Sequence, residues 1–210
     1  MRSDLCMKMI QFKDGLRLQK QLNFIIEIDK IKDILRKTKL IHNNRYENDA
    51  EHSWSICVMA MLLEEYSNFK VDILKVMKML LIHDVVEIDV GDTFLYARTR
   101  QNVKVEEQET ATRVFSILEA DQQQEMMSLW LEFEAKKTPE AKFATVFDRL
   151  EPILQNYLNE GGSWKELEIT YEKVIAFNEH IAEGSAEIWC FVLAMLDDAV
   201  EKGYLKKVGE

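Results

Sequence analysis

An all-α, single-domain protein is what this sequence predicts, on three observations. Only two prolines and seven glycines interrupt a chain that is 47% apolar and carries ten methionines. Apolar residues recur at helical spacing over several windows, and residues that cap helices stand in front of them. At 210 residues the chain fits one domain and is long enough to bury a substantial core.

Residues 1–20 alternate charge and bulk without clear caps. They read as an N-terminal extension to a domain over residues 21–205, with 206–210 as a tail. Residues 22–35 set Leu22, Ile25, Ile28, Ile31 and Leu35 among charged residues, the pattern of an amphipathic helix. Residues 39–48 are polar and read as a loop. Asn48 with Glu51 three residues on fits a capping box, so the next helix starts there and runs to about Ser67. Asn68-Phe69-Lys70 turns the chain, and Asp72 caps a helix that continues through His83 and Asp84 to Glu87. Residues 87–104 lack a sustained period and form a long connection, of the kind that often carries function.

Residues 105–118 and 122–136 read as helices. Thr138-Pro139 is a cap followed by proline in the first helical position, which opens a helix over residues 139–159 that Gly161-Gly162 ends. Pro152 lies inside that helix. Its missing N–H would have bonded the carbonyl of Asp148, so a kink is expected there. Residues 165–182 and 186–201 supply two more helices, the second capped by Ser185 and ended by Gly203.

A net charge of −10 argues against a general nucleic-acid-binding surface, which needs basic patches against phosphates. Locally the balance reverses: Lys30, Lys32, Arg36, Lys37, Lys39 and Arg45 stand against Asp33 alone. A solvated helix face and loop accounts for this, and so does a phosphate-facing role for Arg36 or Arg45. Cys6, Cys57 and Cys190 are odd in number, widely spaced and set in apolar contexts, which reads as reduced, buried thiols in a cytoplasmic protein. No signal-peptide core follows the N-terminus, and no window has the apolar length of a membrane span.

The apolar half of the helix over residues 71–87 holds the pair His83-Asp84. A carboxylate buried without a partner is costly. No Lys or Arg lies between Lys78 and Arg98 to serve as a local partner. A metal ion is the alternative, since imidazole nitrogen and carboxylate oxygen are its usual ligands. His52, in the first turn of its helix, and Asp148 complete a mixed nitrogen and oxygen set. Such a set suits Mn²⁺, Co²⁺, Fe²⁺, Ni²⁺ or Zn²⁺ better than calcium. Glu87 lies one turn beyond Asp84 and points to the same face, where it can orient or deprotonate an attacking water. His42 and His180 read as structural, away from every motif.

His52, His83-Asp84 and Asp148, in this order, resemble the signature of the HD superfamily of metal-dependent phosphohydrolases. Further stretches are similar to the branch that includes bacterial and eukaryotic 5'-deoxynucleotidases. They are Arg45-Tyr46-Glu47-Asn48-Asp49-Ala50-Glu51-His52-Ser53, His83-Asp84-Val85-Val86-Glu87, Gly91-Asp92-Thr93, Asp148-Arg149-Leu150 and Asn156-Tyr157. The resemblance covers roughly residues 20–205. It implies an HD-domain helical bundle in which one divalent metal sits on His52, His83, Asp84 and Asp148. It implies hydrolysis of a small nucleotide, a deoxynucleoside 5'-monophosphate first, with Glu87 and Asp92 catalytic and Arg36 and Arg45 holding the phosphate. Asp92 matches the position that contacts sugar or leaving group, and Asp89 is a spare acid beside it. A homodimer is implied as well.

Two departures bear on specificity. The branch carries an Arg-Trp pair upstream of the first histidine, where this chain has Arg36-Lys37. Ile88 after Glu87 departs from the His-Asp-x-x-Glu-Asp of alarmone hydrolases. With only four histidines in the chain, one metal is expected rather than two. The competing expectation is a nucleotide- and metal-binding regulatory module without turnover, in which Glu87 and Asp92 would tolerate substitution.

Overall fold

Capping and turn residues set where each helix begins and ends in the computed structural model. It describes residues 16–92 and 100–209, the side chains of 100–103 apart. In chain order these residues form α1 (Leu16–Ile28), a 3-10 turn (Asp29–Asp33), β1 (Leu35–Lys39), β2 (Tyr46–Asn48) and α2 (Asp49–Leu62). A second 3-10 turn (Glu64–Tyr66), α3 (Ile73–Ile82), a third 3-10 turn (His83–Val86) and α4 (Glu87–Val90) follow. Then come α5 (Arg100–Phe115), α6 (Ala120–Ala135), α7 (Pro139–Leu158), α8 (Gly162–Glu166), α9 (Tyr171–Asn178), α10 (Ile181–Gly184) and α11 (Ala186–Glu201). The protein is a single all-helical domain carrying one small antiparallel hairpin.

The four caps legible in the sequence are in place. Asn48 accepts the Glu51 N–H at 3.0 Å while the Glu51 carboxylate accepts the Asn48 N–H at 3.3 Å, a reciprocal box. Asp72 accepts from the N–H groups of Leu74 and Lys75. Thr138 and Ser185 accept from Ala141 and Ile188.

Four stretches differ from expectation. The amphipathic helix expected over residues 22–35 stops at Ile28. Its core-facing residues are Phe24, Ile28 and Ile31, while Ile25 and Leu35 are exposed. The polar loop expected after it is a hairpin, with Leu35 paired to Asn48 and Lys39 to Tyr46. Strand alternation turns Arg36 and Thr38 inward and leaves Leu35 and Lys37 exposed. The helix through His83-Asp84 ends at Ile82 and tightens to a 3-10 turn at the pair itself. Residues 165–182 break into α8, α9 and α10, because Glu168 takes a left-handed conformation (φ 52°) and Thr170 then caps α9. The expected boundary at residue 20 falls inside the continuous α1; residues 1–15, Cys6 among them, lie outside the described residues. Cys57 is buried, but Cys190 is exposed on α11, contrary to the buried thiol its apolar neighbours suggest.

The core is organised about α7, which packs against α2, α3, α6, α10 and α11. Its buried residues fall on every side: Phe143, Ala144, Val146, Phe147 and Leu150 in the first half, Ile153 in the second. A helix buried all round is the centre of its fold. It runs unbroken through Pro152 and presents Asp148, Glu151 and Gln155 along one stripe. α10 reaches α7 so closely at Gly184 that a Cβ there would stand 2.5 Å from the Lys142 carbonyl oxygen and from Val146 Cγ2. Gly184→Ala should therefore destabilise the protein by about 1–3 kcal/mol through overpacking. Chemical denaturation checks this, and an unchanged midpoint would mean that α10 yields easily.

Candidate active site

Three separated elements bring the expected ligand residues together. His52 projects from the first turn of α2, His83 and Asp84 from the 3-10 turn after α3, and Asp148 from the middle of α7. His52 Nε2 lies 3.4 Å from Asp148 Oδ1 and 4.0 Å from Asp84 Oδ2. His83 Nε2 lies 3.1 Å from Asp84 Oδ2 and 3.5 Å from Asp148 Oδ1. Donors each about 2.0–2.2 Å from a common ion stand apart by distances of this order.

The other nitrogen of each imidazole is already committed. His83 Nδ1–H donates to the Leu80 carbonyl at 2.8 Å, and His52 Nδ1–H donates to Glu151 Oε2 at 3.2 Å. Each bond fixes a tautomer and turns the Nε2 lone pair toward Asp148, the arrangement metal-binding histidines use. His83 Nε2 is buried and has no hydrogen-bond partner among the described residues. A divalent metal fits this donor set.

A second layer stands behind His52. Glu47 is 1% exposed, with Oε2 3.7 Å from His52 Nδ1, and Gln155 donates to Glu151. Burial, and then the Glu151 carboxylate, push Glu47 up to about 8. The sequence reading did not assign roles to Glu47 or Glu151. Glu151 could have been found, because three residues after Asp148 on a helix is the same face.

The cation expected to be missing beside Asp84 is present. Arg36 crosses from β1 and donates from Nη1 to Asp84 Oδ2 at 2.7 Å and to Asp49 Oδ1 at 3.2 Å, with Nε 3.9 Å from Glu47. The absence of a Lys or Arg nearby in sequence was therefore no argument for a metal. Burial works to raise Asp84, but the His83 and Arg36 charges outweigh it and hold its pKa well below the carboxylate range. Asp148 is held far down by Arg149, His52 and His83 against the same burial.

Asp49, Glu87 and Asp92 converge beside Arg36, with an oxygen of each within 4.8 Å of the others. Gly91 makes this possible: at φ 75° it ends α4 in a conformation that favours glycine, and delivers Asp92 next to Glu87. Burial and the surrounding carboxylates raise Glu87 well above its usual range and Asp49 to about 7. Thr93 and Arg98, and the side chain of Arg100, lie outside the described residues.

Arg36, His83, Asp84, Glu87, Asp92 and Asp148 are among the residues lining a cavity of about 310 Å³, with Asp49 and His52 buried behind them. Arg45 is not among its lining residues. It is exposed and forms a two-bond pair with Glu51 at 2.5 and 2.8 Å, so its place in the basic stretch did not indicate where it faces. Asp89 pairs with Arg113 at the surface. His42 is exposed. His180 is closer to the site than its sequence position suggests. Burial, Arg149 and Lys136 together hold it neutral, down to about 4.

The family model described as the HD domain matches residues 28–189. The chain belongs to the HD-domain family. This HD domain is 46% identical to the crystal structure of a predicted metal-dependent phosphohydrolase from Magnetospirillum magnetotacticum MS-1. That alignment covers 90% of this chain and 96% of the other at a TM-score of 0.87. Human 5'-deoxynucleotidase HDDC2 is 29% identical over 136 residues, 64% of this HD protein and 65% of the human one. The Dictyostelium discoideum protein of the same name is 30% identical over 117 residues, 53% and 62% of the two chains. The chain thus spans slightly less than two thirds of these relatives' lengths.

In the metal-free HD domain, burial and Arg36 work against protonating His52, yet Asp148 and Glu151 raise it to about 9. Against the same burial, Asp84 and Asp148 raise His83 to about 10. Both imidazoles then carry a second proton at pH 7, and metal binding must displace it. Loading Mn²⁺ or Co²⁺ at pH 7 should release about two protons, and apparent affinity should climb with pH. Calorimetry in buffers of different ionisation enthalpy measures the release; none at all would mean the ion binds elsewhere.

Proposed function

We propose that this HD domain hydrolyses the phosphomonoester of a small nucleotide, with a deoxynucleoside 5'-monophosphate as the first substrate to test. The observation that carries the proposal is that His83, Asp84 and Asp148 line one cavity with Glu87 and Asp92, while His52 stands buried against Asp84 and Asp148. A volume near 310 Å³ is the scale of a small-molecule site. The names of the curated relatives support the substrate class.

In this reading the two histidines, Asp84 and Asp148 hold one divalent transition metal: Mn²⁺, Co²⁺, Fe²⁺, Ni²⁺ or Zn²⁺. Such an ion supplies a water of lowered pKa and stabilises charge on the phosphoryl group. Glu87 takes the proton of the water that attacks phosphorus. Burial and the neighbouring carboxylates raise its pKa, which makes its ionised form a stronger proton acceptor. The bond from phosphorus to the ester oxygen breaks, and that oxygen leaves with a proton. Asp92 contacts the sugar or leaving group, as general acid or as acceptor for a ribose hydroxyl. Arg36 balances Asp84 and Asp49, so an anionic substrate meets less repulsion. Phe133 and Trp164 give the cavity an apolar wall that can take the rest of the nucleoside, with no need for the tryptophan missing after Arg36.

A homodimer and a cytoplasmic setting complete the reading. Trp54 and Met61 form an exposed row one heptad apart on α2, and Leu74 and Leu81 form another on the adjoining α3. Paired apolar rows of this kind suit a second copy. No helix among the described residues is long and apolar enough to cross a membrane.

Protein prepared metal-free and reloaded with Mn²⁺ or Co²⁺ should release phosphate from deoxynucleoside monophosphates. Glu87→Gln should keep the metal and lower kcat roughly a hundredfold or more. Full turnover in that variant would remove Glu87 from the mechanism, and metal-dependent binding without any phosphate release in the wild type would favour a regulatory module instead. Sedimentation should report a dimer that Trp54→Lys with Leu81→Lys converts to monomer; a wild-type monomer would reject the dimer.

A further inference from the structure

The cavity holds a second arginine whose chemistry nothing so far uses. Arg149 follows Asp148 on α7, its side chain is 13% exposed, and it lines the cavity. Its Nε is buried and donates no hydrogen bond among the described residues. Among the described residues its one ion pair is to Asp148 Oδ2, at 3.4 Å. A guanidinium offers five N–H donors in a fixed fork, and a buried arginine ordinarily satisfies them. Arg36 presents the opposite case, with Nη1 shared between Asp84 and Asp49 and Nε near Glu47. Of the two arginines lining the cavity among the described residues, Arg149 is the one with donors to offer.

Its position suits an anion. Asp148 faces the imidazoles with Oδ1 and Arg149 with Oδ2, so a single carboxylate separates the guanidinium from the ligand cluster. The acids Asp49, Glu87 and Asp92 gather about Arg36 instead. Behind Arg149, His180 is neutral and adds no charge of its own. Lys136, from the left-handed end of α6, lines the same cavity.

We propose that Arg149 is the residue that grips the substrate's phosphate, by forked hydrogen bonds to two of its oxygens, in the role the basic stretch suggested for Arg36 and Arg45. The inference rests on the phosphohydrolase reading and assigns its phosphate contact. Arg149 is a substrate-binding residue here, and Arg36 remains the counter-charge of the acids.

The test uses Mn²⁺-loaded full-length protein, with inorganic phosphate as the probe, and the variants Arg149→Gln and Arg149→Lys. Arg149→Gln should weaken phosphate binding in calorimetry roughly tenfold or more and raise the KM for a deoxynucleoside monophosphate similarly. Metal stoichiometry and melting temperature should stay at wild-type values. Arg149→Lys should recover part of the loss, because charge returns without the fork. Unchanged phosphate affinity in Arg149→Gln overturns the inference. So does loss of metal together with phosphate, which would make Arg149 only a support for Asp148. A wild-type protein that binds no phosphate at tens of millimolar overturns it too. Arg149-dependent phosphate binding without ester hydrolysis would sink the phosphohydrolase reading and leave this inference standing. Hydrolysis indifferent to Arg149 would do the reverse.

Discussion

The site depends on α7 being buried around its whole circumference while carrying Asp148, Glu151 and Gln155. Polar groups in such a position must find partners or destabilise the fold. Glu151 is satisfied by His52 on one oxygen and Gln155 on the other. Asp148 meets His52 at hydrogen-bond distance and has His83 and Arg149 within ion-pair distance. The core helix and the ligand cluster are therefore one structure. α2 is held against α7 by apolar packing through Ile56, Cys57 and Ala60, and the same approach sets His52 between Asp148 and Glu151. Register between these helices is specified twice, once by packing and once by the buried polar stripe. A helix displaced by one turn would fail both.

Charge explains why the hairpin belongs to the site. Asp49, Asp84, Glu87 and Asp92 gather about one guanidinium. Arg36 comes from β1, and strand alternation is what turns it inward while Lys37 stays exposed. Burial, in the helical part, and counter-charge, in the strand part, are supplied by different kinds of secondary structure. In the proposed function, the metal and Arg149 would supply the positive charge that lets an anionic substrate enter among these carboxylates.

What the sequence disclosed follows from how local each signal is. The caps at Asn48, Asp72, Thr138 and Ser185 are read from four neighbouring residues, and all four hold. The ligand candidates lie in short motifs, and the structure brings them together. The hairpin was missed because residues 35–39 contain a single apolar residue, so period two had nothing to register. Arg36 against Asp84 spans 48 positions and Arg149 against His180 spans 31, distances at which only the fold decides who meets whom. Arg45 pairs with Glu51 and is not among the cavity's lining residues for the same reason: clustering of charge along the chain does not say which side chains share a face. Glu47 stood inside a quoted motif, but its place behind His52 requires the strand to be recognised first.

The run from His83 to Asp92 shows how a short segment can deliver one imidazole and three carboxylates to one cavity. A regular α-helix through residues 71–87 would step each side chain by about 100°. At His83 the chain tightens to a 3-10 turn, where the step is about 120°. That change lets His83 Nδ1 reach the Leu80 carbonyl, three residues back, while Asp84 swings to Arg36. The chain then returns to α-helical form for Glu87–Val90, and Gly91 stops it at positive φ. Each change of backbone form therefore re-aims one acid. The 3-10 segment needs no breaker residue, because Val85 and Val86 are anchored in a separate apolar cluster with Val114, Phe115 and Trp130. Packing against α5 and α6 is what holds the tightened turn, and through it the ligand pair.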